Sequence, residues 1–159
     1  MTACALSFGA LALAQAIELP NRHDAVAGIT TAGQPGADAL SAAAKAGYRT
    51  VIDLRPDNED RGFDEKKTVE ALGMRYAQLP VAGAAGVTYA NATALDKLLR
   101  DAPKPVLLHC SSSNRVGALL ALRAKLAGAN NKDALAVGTA NGLAGLASAV
   151  EQKLEAGKD

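Results

Sequence analysis

The stretch that most constrains this chain is PVLLHCSSSNRVGALLALRAKL, from Pro105 to Leu126. Val106-Leu107-Leu108 is a short apolar run, bounded by Pro105 and His109. Its length and residue types read as a buried strand. Cys110 follows, then Ser111, Ser112, Ser113 and Asn114, small polar residues that suit a tight loop. Arg115 closes that loop, and an apolar helix pattern begins at Val116.

Strand, tight polar loop and helix N-terminus together make an anion site. Loop amides point inward, and the helix dipole favours negative charge. A cysteine at the mouth of such a site has its thiolate stabilised. Arginine at the far end supplies a planar fork that matches an oxyanion. Thiolate, amide cradle and guanidinium are the parts required for covalent transfer of a phosphoryl group or a sulfur atom. The competing reading of Cys110 is a small buried hydrophobe at a strand end. The neighbouring His109, four small polar residues and Arg115 favour chemistry over packing.

The segment His109-Cys110 to Arg115-Val116-Gly117 resembles the active-site loop of the cysteine-dependent phosphatase superfamily. The chain is most similar to the bacterial phosphatase-like family that is also found fused to beta-lactamase-like hydrolases. Two further stretches carry that resemblance: Thr31-Ala32-Gly33-Gln34-Pro35, with its Gly-Gln-Pro turn, and Ala46 to Pro56, AGYRTVIDLRP. The resemblance runs from about residue 26 to residue 147. It implies a three-layer α/β fold, tyrosine-phosphatase-like, with a mostly parallel central sheet flanked by helices. It also implies hydrolysis of a phosphate ester through a phosphocysteine on the HCSSSNR loop, without a cofactor or metal.

Three features depart from the tyrosine and dual-specificity phosphatases that this loop resembles. Four residues separate Cys110 from Arg115, where those enzymes place five. Four is also the spacing of many rhodanese-type sulfurtransferases, whose tighter ring suits a persulfide. Ser113 stands where related loops commonly have glycine, which tolerates positive φ more readily. Related phosphatases carry an acid on a mobile loop that protonates the leaving oxygen. The corresponding stretch here, Pro80 to Gly86, has none. Substitutes are available on another loop, at Asp57, Glu59 or Asp60, with Asp53 at the strand end; Asp57 is the candidate acid taken forward. That cluster also fits a plain solvated turn. Arg55 is a candidate second oxyanion contact, Ser111 to Asn114 line the substrate site, and His109 orients the loop by hydrogen bonding.

Length is consistent with one domain over residues 17–159. A net charge of +1 offers no footprint for nucleic acid or an anionic membrane surface. No cysteine or histidine spacing suggests a metal site, since His23 and His109 stand far apart. Residues 1–16 form an apolar run ending in Ala14-Gln15-Ala16, a small-x-small pattern that reads as a signal-peptidase site near Ala16. The run is too short to span a bilayer. This predicts a periplasmic or secreted protein, with a cytoplasmic one as the alternative. After cleavage Cys110 is the only cysteine and is therefore a free thiol.

Along the rest of the chain, residues 17–24 read as an irregular arm and Val26 to Thr31 as one strand. Helices are expected over Asp38–Ala46, Phe63–Leu72, Thr88 to about Arg100, Val116–Leu126 and Asn130–Val137. A last helix carries Leu143, Leu146, Val150 and Leu154. Strands are expected over Arg49–Leu54 and Met74–Leu79. Alternating strands and helices make a parallel sheet, which puts the loops after Leu54, Leu79 and His109 on one rim. Three functions fit: a phosphatase, a sulfurtransferase working through a Cys110 persulfide, and an oxyanion-binding module. The partner in the first two is a phosphorylated or sulfur-donor substrate.

Overall fold

The structure, a computed structural model, describes residues 17–157. The expected leader, residues 1–16, lies outside the described residues. Five short strands form one sheet: β1 (His23–Val26), β2 (Ile29–Ala32), β3 (Thr50–Asp53), β4 (Arg75–Gln78) and β5 (Val106–His109). Their order is β1-β2-β5-β3-β4. All pairings are parallel except β1 with β2. The helices are α1 (Ala37–Lys45), α2 (Glu65–Ala71), α3 (Tyr89–Asp101), α4 (Asn114–Leu126), α5 (Asn131–Ala140) and α6 (Ala147–Ala156). No helix among the described residues is long and apolar enough to cross a membrane.

Alternation along the strands builds the layers. Val51 and Leu107 face Leu40 of α1 and Val69 of α2. Ile52, Val106 and Leu108 face Leu95 and Leu99 of α3 and Leu119 and Leu120 of α4. The central strands β2, β5 and β3 are buried on both faces, while the edge strands β1 and β4 are partly exposed. α4 is buried almost all round, because α5 and α6 cover the face that the sheet leaves open. At Gly117 the backbones come so close that a Cβ would lie 2.3 Å from Leu143 N.

Two sequence expectations are corrected. The single strand over Val26–Thr31 is a hairpin. Ala27-Gly28 turns the chain, Gly28 at φ 74, and His23 and Asp24 of the supposed arm form β1. The last helix begins only at Ala147. Leu143 and Leu146 precede it, in a turn that Gly142 (φ 96) opens, and Asn114 Oδ1 accepts from Ala144 N and Leu146 N. Their apolar stripe mimics helical spacing because that turn packs the same core.

Candidate active site

Strand register assembles the site. Asp53 stands level with both Gln78 and His109, so the three chain segments leave the sheet on one rim. Cys110 follows β5 and is fully buried, packed in the cluster that holds Leu54, Val81 and Val116. Ser111 and Ser112 are exposed. The Gly33-Gln34 turn braces this loop from below: Gln34 N donates to Ser111 O at 3.1 Å. Only glycine fits at position 33, since a Cβ there would sit 2.8 Å from Ser111 O.

Ser113 adopts the left-handed conformation, φ 67, that glycine usually supplies. Its surroundings compensate. Its hydroxyl donates to Asn141 O at 3.0 Å. Gly142 lies directly against it, and a Cβ there would come within 2.6 Å of Ser113 Cβ. α4 begins at Asn114, two residues earlier than the apolar pattern suggests, so Arg115 stands in the first helical turn rather than closing the loop.

Arg115 is the electrostatic centre. Nη1 donates to Glu59 Oε1 (2.6 Å) and to Val81 O (3.0 Å). Nη2 donates to Glu59 Oε2 (2.8 Å) and to Ser111 Oγ (3.0 Å). The Glu59 hydrogen bond, opposed by burial and reinforced by the Cys110 side chain, raises the Arg115 guanidinium above its ordinary range. Glu59 is shared with Arg55, whose Nε donates to Glu59 Oε2 at 2.8 Å. Hydrogen bonds from Arg115, then from Arg55, outweigh the cost of burial and hold the Glu59 carboxyl down at about 2. Arg55 is further occupied by Gln34 Oε1 and Asp60 O. It therefore holds Glu59 and the neighbouring loop and has most of its fork engaged inside the protein.

Behind the Cys110 loop lies a second polar cluster, buried at Asp53, Glu65 and His109. His109 Nε2 faces Glu65 Oε1 at 2.8 Å, and Nδ1 lies 3.3 Å from Cys110 O. Glu65 Oε2 accepts from Gln34 Nε2 at 3.0 Å. Asp53 Oδ1 accepts from Arg55 N; its Oδ2 accepts from Arg61 Nε (2.6 Å) and Tyr76 OH (3.0 Å). Burial works against a charged Glu65, yet His109, Gln34 and Arg61 together keep its carboxyl below the usual range. Asp53, Glu65 and His109 converge closely enough to ligate a cation. Arg61 already pairs with Asp53 and lies 3.6 Å from Glu65, so the donor set has the chemistry of an ion-pair network.

Contacts thus run in a ring from Arg115 through Glu59, Arg55, Gln34, Glu65 and His109 back to the Cys110 loop. Sequence reasoning missed Glu65, Gln34 and Arg61 as its members, because they are remote in the chain and their spacing carries no signal. In the sequence Gln34 carries only the signal of its Gly-Gln-Pro turn. Asp57, the candidate acid, does not join the ring: it is exposed and accepts from Gln78 Nε2 at 2.9 Å. The stretch after β4 brings no charge, and contributes the Val81 carbonyl and a short 3-10 turn, Gly83–Gly86.

The chain is similar to known proteins over most of its length. The model of the beta-lactamase hydrolase-like protein, phosphatase-like domain, matches residues 25–127. The beta-lactamase hydrolase-like protein of Xylella fastidiosa (strain Temecula1) is 34% identical over 119 residues, covering 72% of this chain and 27% of that protein. Its counterpart from Agrobacterium fabrum is 33% identical over 104 residues, 63% of this chain and 24% of the relative. The chain thus spans about a quarter of the length of these curated relatives. Among solved structures, a candidate phosphatase from Neisseria meningitidis superposes with a TM-score of 0.69 at 19% identity, covering 82% of this chain and 96% of that one. P. aeruginosa TpbA, solved with pTyr, gives 0.61 at 20% identity, covering 87% and 85%. These likenesses show the tyrosine-phosphatase-like fold. The match over residues 25–127 and the relatives at a third identity place the chain in the family of the phosphatase-like domain of beta-lactamase hydrolase-like proteins.

Proposed function

We propose that this phosphatase-like protein hydrolyses a phosphate ester through a phosphocysteine on Cys110. The observation that carries the reading is the placement of Cys110 directly after a buried strand and of Arg115 in the first turn of the helix that follows, with a tight loop of three serines between strand and helix. In this reading the Cys110 thiolate attacks phosphorus. The amides of Ser111 to Arg115 and the Arg115 guanidinium, through its Nε–H and the Nη2 donor released from Ser111 Oγ, hold the oxygens as charge develops. Ser111, at the fork and exposed to solvent, assists breakdown of the intermediate. His109, wedged between Glu65 and the Cys110 carbonyl, orients the loop. The apolar leader expected at residues 1–16 would place this chemistry in the periplasm or outside the cell.

One observation favours a second reading. The loop has only four residues between Cys110 and Arg115, a ring suited to a persulfide, and sulfur transfer requires no proton for its leaving group. A paired assay separates the two, run on the protein and on Cys110→Ser. Release of phosphate from an aryl phosphate, lost in the variant, is the expected outcome. Thiocyanate formed from thiosulfate and cyanide, lost in the variant without any phosphatase activity, replaces the first reading with the second. A protein silent in both arms that still binds phosphate or thiosulfate is an oxyanion-binding module.

A further inference from the structure

We infer that the leaving group departs from this site without receiving a proton, so that the substrates are activated phosphoryl donors: acyl phosphates, or phosphate esters of acidic phenols and enols. The inference rests on the phosphocysteine reading above and names the substrate class of that site.

It follows from where the carboxyl groups stand. Protonating a poor leaving group requires a neutral acid within reach of it. The fold brings three carboxyl groups to the rear and side of the catalytic loop, and each is held in contacts to arginine, histidine or amide groups inside the protein. Glu59 has both oxygens on Arg115 and a further contact to Arg55. Asp53 has one oxygen on the Arg55 amide and the other on Arg61 and Tyr76. Glu65 lies between Gln34 and His109, with Arg61 3.6 Å away. Protonating any of them breaks an arginine or histidine pair inside the protein. His109 itself is fully buried behind the loop, with its ring nitrogens directed at Glu65 and the Cys110 carbonyl. The stretch from Pro80 to Val87, which crosses beside Arg115, offers only backbone and aliphatic groups.

The bond changes balance without an acid. Cys110 sulfur forms a bond to phosphorus as the phosphorus–oxygen bond breaks. The electron pair leaves on that oxygen, and the anion takes its proton from bulk water. A water molecule then attacks phosphorus, the sulfur–phosphorus bond breaks, and the pair returns to the Cys110 thiolate. The proton of that water passes to the product phosphate or to solvent. Leaving-group stability thus controls the first step.

The test is a series of aryl phosphates from 2,4-dinitrophenyl to phenyl, with acetyl phosphate as the non-aromatic member, assayed for kcat/KM on the protein, Asp57→Asn, Asp60→Asn and Cys110→Ser. The expected result is a steep dependence, kcat/KM falling about tenfold for each unit rise in leaving-group pKa. Asp57→Asn and Asp60→Asn should retain that slope, and acetyl phosphate should be turned over efficiently. A shallow slope in the protein that becomes steep in either aspartate variant identifies an acid and overturns the inference while leaving the phosphocysteine reading intact. If no member of the series shows turnover that Cys110→Ser abolishes, the phosphocysteine reading fails and takes this inference with it.

Discussion

Two neighbouring loops leave adjacent parallel strands and flank Arg115 in opposite ways. The loop after β3, residues 54–64, works through charged side chains. Glu59 grips Arg115, Arg55 grips Glu59, and Arg61 ties Asp53 to the loop carbonyls of Arg55, Pro56 and Glu59. The loop after β4, residues 79–88, has no charge at all and works through its backbone. Val81 is buried and its carbonyl accepts from Arg115, while Asn91 Nδ2 donates to Gly86 O to pin the turn. One loop thus supplies a counter-charge and the other a fixed dipole. An ionised carboxylate between two guanidinium groups orients a cation strongly but is a poor proton donor. A carbonyl orients it and cannot donate a proton. The electrostatic work at this site is arrangement of the arginine, and the acid that related phosphatases keep on a mobile loop has no counterpart in either of these two contacts.

The comparison breaks most severely at the group both loops share. Arg115→Lys keeps the charge and loses the fork, so Glu59, Val81 O and Ser111 Oγ cannot all be satisfied. Turnover of an activated aryl phosphate should fall by roughly 100-fold or more. A smaller loss would mean that charge alone suffices. Next is Gly86→Ala, which attacks the uncharged loop through packing. The added methyl would meet Val81 Cγ1 at 2.8 Å and Val81 backbone at 3.1 Å. Thermal unfolding should report a loss of about 1–3 kcal/mol, accompanied by reduced activity as the Val81 carbonyl shifts.

Glu59→Gln tests the charged loop by itself. It should lower kcat/KM by about tenfold, because an amide accepts only at one atom and lets Arg115 rotate. It also has a pH signature. The Glu59 carboxyl lies at about 2 in the folded protein, against an ordinary 4.5. The folded state therefore binds fewer protons than the unfolded one in that window. The stabilisation is complete above the ordinary value and is lost as pH falls towards the folded one. Melting temperature should drop less between pH 5 and pH 2 in Glu59→Gln than in the parent; equal slopes would show that the pair contributes nothing. The smallest effect is expected at Asp57→Asn, an exposed side chain whose single hydrogen bond goes to Gln78. Stability within ~0.5 kcal/mol of the parent would be ordinary for such a surface position. A large fall in activity would restore Asp57 as the acid.

Ser113 shows how a local rule can be read correctly and still leave the outcome open. Its position calls for positive φ, which a serine resists, and the residue does stand at φ 67. What accommodates it is Gly142 and the Asn141 carbonyl, supplied by a turn almost thirty residues away. The same turn explains why Leu143 and Leu146 read as helical: they pack a helical core face without being in the helix. The β1–β2 hairpin was hidden for another reason. Its four-residue strands pass through Ala27-Gly28 without the turn pairs that mark hairpins most strongly.

By itself the sequence determined the parallel α/β sheet, the buried α4, the rim on which three loops meet, and the pairing of Cys110 with Arg115. These follow from local periodicity and from residues close together in one stretch, where strand, loop and helix leave few alternatives. Only the tertiary structure decided what the charges do. Glu59 is 56 residues from Arg115, and Gln34 is 31 from Glu65. Nothing in their spacing distinguishes a solvated acid from one clamped between two arginines. Ionic partners in a parallel sheet are chosen by strand order and register, because the side chains that meet on its rim come from strands separated by whole helices.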